Sequence, residues 1–235
     1  TNNFNNNNCR LLSTANENIL IVGNGETGCS FYRTHRPVKV VISANCTYTG
    51  VSGITKTESD LYNNGVLCNT GLGRFYMNGE KIFYNIGNTS TNIIIGYNSQ
   101  NTDCDINNQG TLTTNELTTF GDVINSGTFI LSTNGGMAIR GGINNSGTFT
   151  SNGTIWLLGP DPVYLMGDIN LGIFSCIVPN KILYFENGRT YQFSSLTLGG
   201  NLGNETVIRS NSSSFNYSFK ISSNQLISFC DIQDM

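Results

Sequence analysis

Three copies of one phrase decide how this chain folds: "INNQGTLTTN" (106–115), "VINSGTFILSTNGG" (123–136) and "INNSGTFTSNG" (143–153). A weaker copy, "DINLGIFSC", follows at 168–176. The glycine that the three copies share recurs after 17 and then after 20 residues. This period is too short for a propeller blade of about 40 residues, and the phrase is too rich in β-branched residues for a helical repeat. The spacing therefore predicts that each copy forms one rung of a β-solenoid.

Stacked rungs would bring the equivalent residues of each copy together. Side chains alternate between the two sides of a strand, so each copy turns one set of apolar residues inward. The predicted inner columns are Ile106, Ile124 and Ile143, and then Leu112, Phe129 and Phe149. At the corner we predict a ladder of Asn108, Asn125 and Asn145, with backbone freedom supplied by Gly110, Gly127 and Gly147. One rung cannot bury its own apolar face, whereas a stack can.

The rest of the chain also has the pattern of β-structure. Short runs of β-branched and aromatic residues are separated by Asn-Gly and Gly-Gly steps, which are turn signals. The segment "RFYMNGEKIFYNI" (74–86) predicts a hairpin around Asn78-Gly79. Trp156, in "GTIWLLG", is predicted to be a core residue because the strand period places most aromatic residues of the repeats inside.

We divide the chain into three parts. Residues 1–17 form an Asn-rich N-terminal arm, residues 18–100 an irregular β region, and residues 101–235 the β-helix repeats. The middle part carries no repeat phrase, and it forms either early rungs of the same solenoid or a small β-sandwich. We expect the whole chain to be a processed form or an excerpt of a longer protein, because it opens on Thr1.

The C-terminal stretch carries a resemblance to a known family. "ILYFENGRTYQFSSLTLGGNLGNETVIRSNSSSF" (182–215) and "ISSNQLISFCDIQDM" (221–235) are similar to a phrase found in right-handed parallel β-helix proteins of pectin-lyase-like architecture, especially large secreted bacterial surface proteins and adhesins. The matching positions are Phe185, Gly188, Thr190, Tyr191, Phe193, Leu196, Leu198, Gly203, Asn204, Ile208, Arg209, Ser210, Ile232 and Asp234. The resemblance covers about 105–235. It implies an all-β fold, a right-handed parallel β-helix over most of the chain, and a place on a cell surface.

The composition favours an exported protein. Charged residues make up 11% of the chain, against about 25% in an ordinary soluble domain. The net charge of −3 provides no positive field, so nucleic acid is not an expected partner. No apolar run approaches the ~20 residues that a membrane-spanning helix needs. We therefore expect an extracellular or cell-surface protein without a membrane span.

The cysteines and the Asn-x-Ser/Thr sequences are candidate sites for the modifications of exported proteins. The seven cysteines are Cys9, Cys29, Cys46, Cys68, Cys104, Cys176 and Cys230. They form neither a CxxC pair nor a Cys/His cluster, so a zinc site is not predicted and they are disulfide candidates instead. Seven is an odd number, so at least one cysteine stays a thiol or pairs between chains. The candidate glycosylation sites are Asn45, Asn88, Asn144, Asn152, Asn204, Asn211 and Asn216, about as many as chance produces in this composition.

Candidate chemistry is sparse. The best acidic group is Asp103 and Asp105 in "TDCD", which would hold either a metal ion or, as we favour, a turn through Asx-type hydrogen bonds. The glycine pattern "GNGETG" (23–28) resembles a dinucleotide-binding turn, but too few residues separate it from the next strand at Val38 for a helix to follow. We expect no catalytic residues and no cofactor.

These observations predict an extracellular structural or adhesive β-helix module. It would be a subunit or segment of a cell-surface fibre, sheath or large adhesin. We expect it to associate with itself through its chain ends or an intermolecular disulfide. Surface glycans are the other expected partner. The alternative is a polysaccharide-active lyase or hydrolase, or a glycan-binding module of the tail-fibre kind, which requires clustered carboxylates or exposed aromatic rings respectively.

Overall fold

The computed structural model describes residues 9–13, 18–22, 39–42, 44, 47–50, 54–57, 60–69, 74–77, 80–90, 92–95, 104–212 and 216–233. These residues form β-strands and turns and no helix, so none of them could cross a membrane as a helix. The strands are β1 Cys9–Ser13, β2 Asn18–Val22, β3 Lys39–Ile42, β4 Thr47–Gly50, β5 Ile54–Thr57, β6 Asp60–Asn63, β7 Val66–Asn69, β8 Arg74–Met77, β9 Ile82–Asn85, β10 Asn88–Ser90, β11 Asn92–Ile95, β12 Asp105–Asn108, β13 Thr111–Thr119, β14 Val123–Asn125, β15 Thr128–Ile139, β16 Ile143–Asn145, β17 Thr148–Ser151, β18 Thr154–Leu157, β19 Val163–Gly167, β20 Ile173–Cys176, β21 Ile182–Phe185, β22 Thr190–Phe193, β23 Ser195–Gly199, β24 Thr206–Ser210, β25 Ser218–Ile221, β26 Gln225–Ser228 and β27 Cys230–Ile232.

The strands stack in parallel along three faces, which confirms the predicted parallel β-solenoid. The first face runs β2-β3-β6-β9-β12-β14-β16-β19-β21-β24-β27, with β1 added antiparallel at its start. The second face begins β4-β7-β10-β13-β15-β17, and the pair β22-β25 extends it through bridges at Asn170. The third face runs β5-β8-β11-β13-β15-β18-β20-β23-β26. The long strands β13 and β15 bend from the second face onto the third.

The strands before residue 96 belong to these same faces. The predicted hairpin over 74–86 is wrong: β8 pairs with β5 and β11, whereas β9 pairs with β6 and β12. In a solenoid each turn leads the chain to the next face, so strands that are consecutive in sequence bond to strands one rung away.

The register of the first face corrects one predicted core column. Val123 lies between Ile106 and Ile143, and all three are buried. Ile124 points outward and is 42% exposed. Asn125 occupies the ladder, and the two-residue period then makes Val123 the inward neighbour. The second column is as predicted, with Leu112, Phe129 and Phe149 in register and the two phenyl rings stacked 4.5 Å apart.

Buried asparagines form a ladder along the corner between the first and second faces. Asn108, Asn125 and Asn145 are joined as predicted, and Asn63 and Asn85 extend the ladder toward the N-terminus. The amide nitrogen of each of the first four donates to the amide oxygen of the next asparagine, at 2.8, 2.6, 2.6 and 2.7 Å. All five share an Asn-x-Gly sequence, which is the signal that could have identified the two additional members.

Each ladder amide also bonds the backbone of the following rung. The amide groups of Asn85, Asn108 and Asn125 donate to the carbonyl oxygens of Thr111, Thr128 and Thr148 at 3.0, 3.0 and 2.9 Å. Both amide hydrogens are therefore used, and the buried side chains are satisfied as burial requires.

The glycines beside the ladder are needed for close stacking. Gly110, Gly127 and Gly147 are absent from the glycines with positive φ, so the predicted reason, backbone freedom, is wrong. A Cβ atom on Gly127 would collide with the carbonyl oxygen of Gly110, and one on Gly147 with that of Gly127. Successive turns approach so closely that only glycine fits.

The disulfide prediction is wrong for the cysteines whose side chains the structure describes. Cys68, Cys104, Cys176 and Cys230 form no disulfide within the described part of the chain. Cys104 and Cys176 are fully buried in the core, where they pack as small apolar side chains. Cys9, whose strand alone is described, and Cys29 and Cys46 lie outside the described side chains.

Candidate functional site

Three described aspartates connect neighbouring rungs of the fold. Asp105 accepts a hydrogen bond from the backbone N–H of Asp122 at 2.8 Å, and Asp122 accepts one from Gly142 at 2.6 Å. Asp60 does the same for Ile82 at 3.0 Å. Each carboxylate thus ties its rung to the next one. Asp103, the other predicted metal candidate, lies outside the described residues, and the residues that are described include no group of three or more metal-ligating side chains.

Other carboxylates pair with arginines across rungs. These ion pairs are Arg140 with Asp161 at 2.8 Å, Arg189 with Asp168 at 3.0 Å, and Arg209 with Asp231 at 2.6 Å. Such partly exposed pairs are each worth little, about 0–1 kcal/mol.

One lysine is buried, and its amine donates to backbone carbonyl oxygens. Lys181 is 0% exposed, and its Nζ donates to the carbonyl oxygens of Leu158 at 3.0 Å and Arg140 at 3.5 Å. Burial disfavours the ammonium form and lowers the pKa of Lys181 to about 8. The thiol of Cys176 is buried as well, and burial raises its pKa to about 11.

Replacing Lys181 with methionine should remove a specific pH dependence of stability. The unfolded lysine keeps its proton up to about pH 10.4, whereas the folded one loses it near 8. Between these values the unfolded state binds more protons, so the contribution of Lys181 to stability rises with pH, by on the order of 2 kcal/mol. Cys176 acts in the opposite direction above about pH 8.5, because the unfolded thiol ionises first.

The measurement is therefore the difference in free energy of unfolding between the wild type and Lys181→Met from pH 7 to pH 10, since Cys176 is common to both proteins. We expect the free energy of unfolding of the wild type to increase relative to that of the variant as the pH rises. If the difference in free energy of unfolding stays constant over this range, the pKa of Lys181 is not lowered by burial.

A shallow groove lies on the outside of the corner between the second and third faces. It is lined by residues of four successive rungs, among them Asn115, Asn134, Asn152, Trp156 and Ile173, and has a volume of about 480 Å³. The register Glu116↔Gly136↔Thr154↔Ile173 shows that these rungs follow one another directly on the third face. The groove therefore extends along the solenoid axis.

Trp156 lies in this groove and not in the core, so its predicted placement is wrong. Its side chain is 44% exposed, whereas Ile155 and Leu157 on either side are buried. "IWL" contains three apolar residues in succession, and a strand can turn only alternate ones inward. The sequence alone did not decide which set that would be.

Small residues leave the indole ring uncovered. Ala138 and Ser175 are the neighbours of Trp156 in register on the two adjoining strands. A Cβ atom on Gly136 would lie 2.7 Å from the ring, so the ring lies close over the Gly136 backbone. The result is an exposed aromatic surface supported by a rigid sheet.

The groove is polar apart from the ring and Ile173. Asn115, Asn134 and Asn152 are exposed at the bends of three successive rungs, and Thr154 adds a hydroxyl group. Asn134 has a φ of 63°, which asparagine tolerates better than most residues and which turns the chain within β15. Amide and hydroxyl groups both donate and accept hydrogen bonds.

The predicted glycosylation sites lie on the surface where they are described. All six described sites are exposed, namely Asn88, Asn144, Asn152, Asn204, Asn211 and Asn216. Asn45 lies outside the described residues, and so does the glycine pattern at 23–28.

Comparisons of the chain with family models, curated proteins and solved structures found no match.

Proposed function

We propose that the protein is an extracellular structural and adhesive β-helix module that associates with copies of itself end to end, as a segment of a cell-surface fibre, sheath or large adhesin. The observation that carries this proposal is the last rung of the solenoid. It consists of β25, β26 and β27, which pair with β22, β23 and β24 and end the three faces within the described residues.

The last rung leaves apolar side chains in contact with solvent. Leu226 is 63% exposed, Ile227 43% and Phe229 51%. Ile227 is in register with the buried Leu198, so its side chain lies on the inner side of the strand, at the end of the apolar column. A further rung stacked on this end would bury it, and burial of a large apolar side chain stabilises by about 1.5–3 kcal/mol.

Hydrogen-bonding chemistry favours a β-strand as the occupant of this end. Parallel edge strands present backbone N–H and C=O groups that only another extended chain can pair in register. We assign that role to the N-terminal end of a second copy, where β1, β4 and β5 are the outermost described strands of the three faces. The resulting filament would be stiff, since every strand within it is paired on both sides.

The remaining features agree with a non-catalytic role outside the cell. Six of the described aspartates bond backbone N–H groups or arginines of a neighbouring rung and so stabilise the stack. The low charge content of 11% and the uncharged polar surface suit an exported protein.

Replacing Ile227 with lysine should abolish self-association. The charge would be placed in the apolar contact between copies, where its desolvation is not repaid. We expect the wild type to form concentration-dependent oligomers and Ile227→Lys to be a monomer, as measured by size-exclusion chromatography with light scattering, with and without reductant.

The matched control is Ile124→Lys. Ile124 is 42% exposed, almost the same fraction as the 43% of Ile227, but it lies on the first face, away from the last rung. The control should assemble as the wild type does. A wild type that is a monodisperse monomer under both oxidising and reducing conditions contradicts the proposal.

A further inference from the structure

We propose that the Trp156 groove binds an uncharged glycan chain that lies along the solenoid axis, with one pyranose ring against the indole. The proposal deepens the adhesive part of the proposed function, because it assigns a surface and a class of ligand to it. It does not depend on assembly through the last rung.

The exposed ring supplies the first part of the argument. A tryptophan that is 44% exposed on a rigid sheet forgoes much of the stabilisation that burial would provide. Its neighbours in register, Ala138 and Ser175, are too small to cover the ring. The C–H groups on one side of a pyranose ring form an apolar face that stacks on an aromatic ring, so the indole is a fitting contact for a sugar.

The polar groups around the ring supply the second part. Sugar hydroxyl groups donate and accept hydrogen bonds, and so do the side chains of Asn115, Asn134, Asn152 and Thr154. A binding site that combines an apolar contact with a few convergent polar groups has the composition expected for a small-molecule ligand.

The direction of the groove indicates a chain of sugars. The three asparagines lie on successive rungs, and neighbouring rungs of a parallel sheet are about 4.8 Å apart. An amide group is thus presented on each of three successive rungs, although the register shift between Thr114 and Glu116 keeps the three asparagines from forming an aligned column. A linear polymer of similar units can use each step, whereas a single sugar can use only one.

The charge of the groove selects among glycans. Among the described residues that line it, Glu116 alone carries a charge, and the whole chain has a net charge of −3. Negatively charged glycans such as polyuronates would be repelled by Glu116 and would meet no arginine or lysine there. We therefore assign the groove to neutral glycans.

Fluorescence of the single tryptophan reports on this groove directly, because Trp156 is the only tryptophan in the chain. The full chain is titrated with hexasaccharides of β-1,4-glucose, β-1,4-mannose, β-1,4-xylose, β-1,3-glucose and β-1,4-N-acetylglucosamine, and with a galacturonate hexasaccharide. We expect a saturable change in emission, and protection from acrylamide quenching, with at least one neutral oligosaccharide and none with the galacturonate.

Calorimetry with the neutral oligosaccharide that binds then tests the ring itself. Trp156→Ala should weaken binding by at least about tenfold, as expected for a tryptophan at the centre of a contact. The control is Tyr164→Ala, because Tyr164 is 51% exposed but lies on the first face, stacked on Tyr184 at 4.7 Å. The control should bind as the wild type does.

The proposal is overturned by the lack of a saturable response to any neutral oligosaccharide of the panel, by unchanged affinity in Trp156→Ala, or by preferential binding of the galacturonate. Light scattering on the same Trp156→Ala sample separates this outcome from that of the proposed assembly. A variant that still assembles but does not bind sugars supports both proposals. If Ile227→Lys, which retains Trp156, lost sugar binding, then binding would require assembly. That result would contradict a groove that binds sugars independently of assembly.

Discussion

Replacing Asn108 with alanine is expected to destabilise the protein by about 3–5 kcal/mol. Asn108 is fully buried at the centre of the asparagine ladder, where it accepts from Asn85 at 2.6 Å and donates to Asn125 at 2.6 Å and to the Thr128 carbonyl at 3.0 Å. Alanine removes all three bonds and leaves an amide hydrogen of Asn85 and the amide oxygen of Asn125 without those partners. Each buried polar group left unsatisfied costs about 1–3 kcal/mol.

The effect is measured as the shift of the urea unfolding transition followed by circular dichroism. Asn144→Ala is the matched control, since Asn144 directly precedes the ladder member Asn145 but is exposed. The control should stay within about 0.5 kcal/mol of the wild type. Equal losses in the two variants would mean that the ladder contributes nothing beyond an ordinary surface asparagine.

Replacing Phe129 with alanine should cost about 3–5 kcal/mol by a different mechanism. Phe129 is fully buried, its ring stacks on that of Phe149 at 4.5 Å, and it is in register with Leu112 on the other side. Truncation opens a cavity that the neighbouring rungs cannot close, because their strands are held at fixed spacing by the backbone hydrogen bonds. The stacked pair also loses its specific aromatic contact.

Ile124→Ala is the control for this second prediction. The sequence placed Ile124 in the core, whereas the structure leaves it 42% exposed, so truncation should cost less than about 1 kcal/mol. Thermal unfolding of the two variants side by side distinguishes the cases. A large loss in Ile124→Ala with a small loss in Phe129→Ala would mean that the strands are paired in a register one residue away from the one described.

The repeat phrase predicted the fold because it carries several requirements at once. An asparagine that must bond its own copy in the next rung, a glycine at the close approach of two turns and an apolar residue that faces inward recur together in 106–153. Together, at a period of about 20 residues, they indicate a chain that stacks copies of one unit. The earlier ladder members Asn63 and Asn85 could have been predicted by the same Asn-x-Gly signal.

The Trp156 groove could not be predicted from the local sequence pattern. Trp156 stands between two apolar residues, and nothing in "TIWL" says which face of the sheet is buried. The exposed asparagines at positions 115, 134 and 152 are indistinguishable in sequence from the many other asparagines of the chain. Their presence in one groove depends on the bend within β15, which shifts the pairing of β15 with β13 between Thr114 and Glu116.

The sequence by itself determined that this chain is a stack of β-rungs, because the repeated asparagine, glycine and apolar residues recur together at the spacing of one rung. Only the tertiary structure decided which of two adjacent apolar residues lies inside, as at Val123 and Ile124, and which aromatic ring lies outside, as at Trp156. The physical reason is the two-residue period of the strand: a displacement of one residue exchanges the two faces, and the register that selects between them is set by hydrogen bonds to neighbouring rungs.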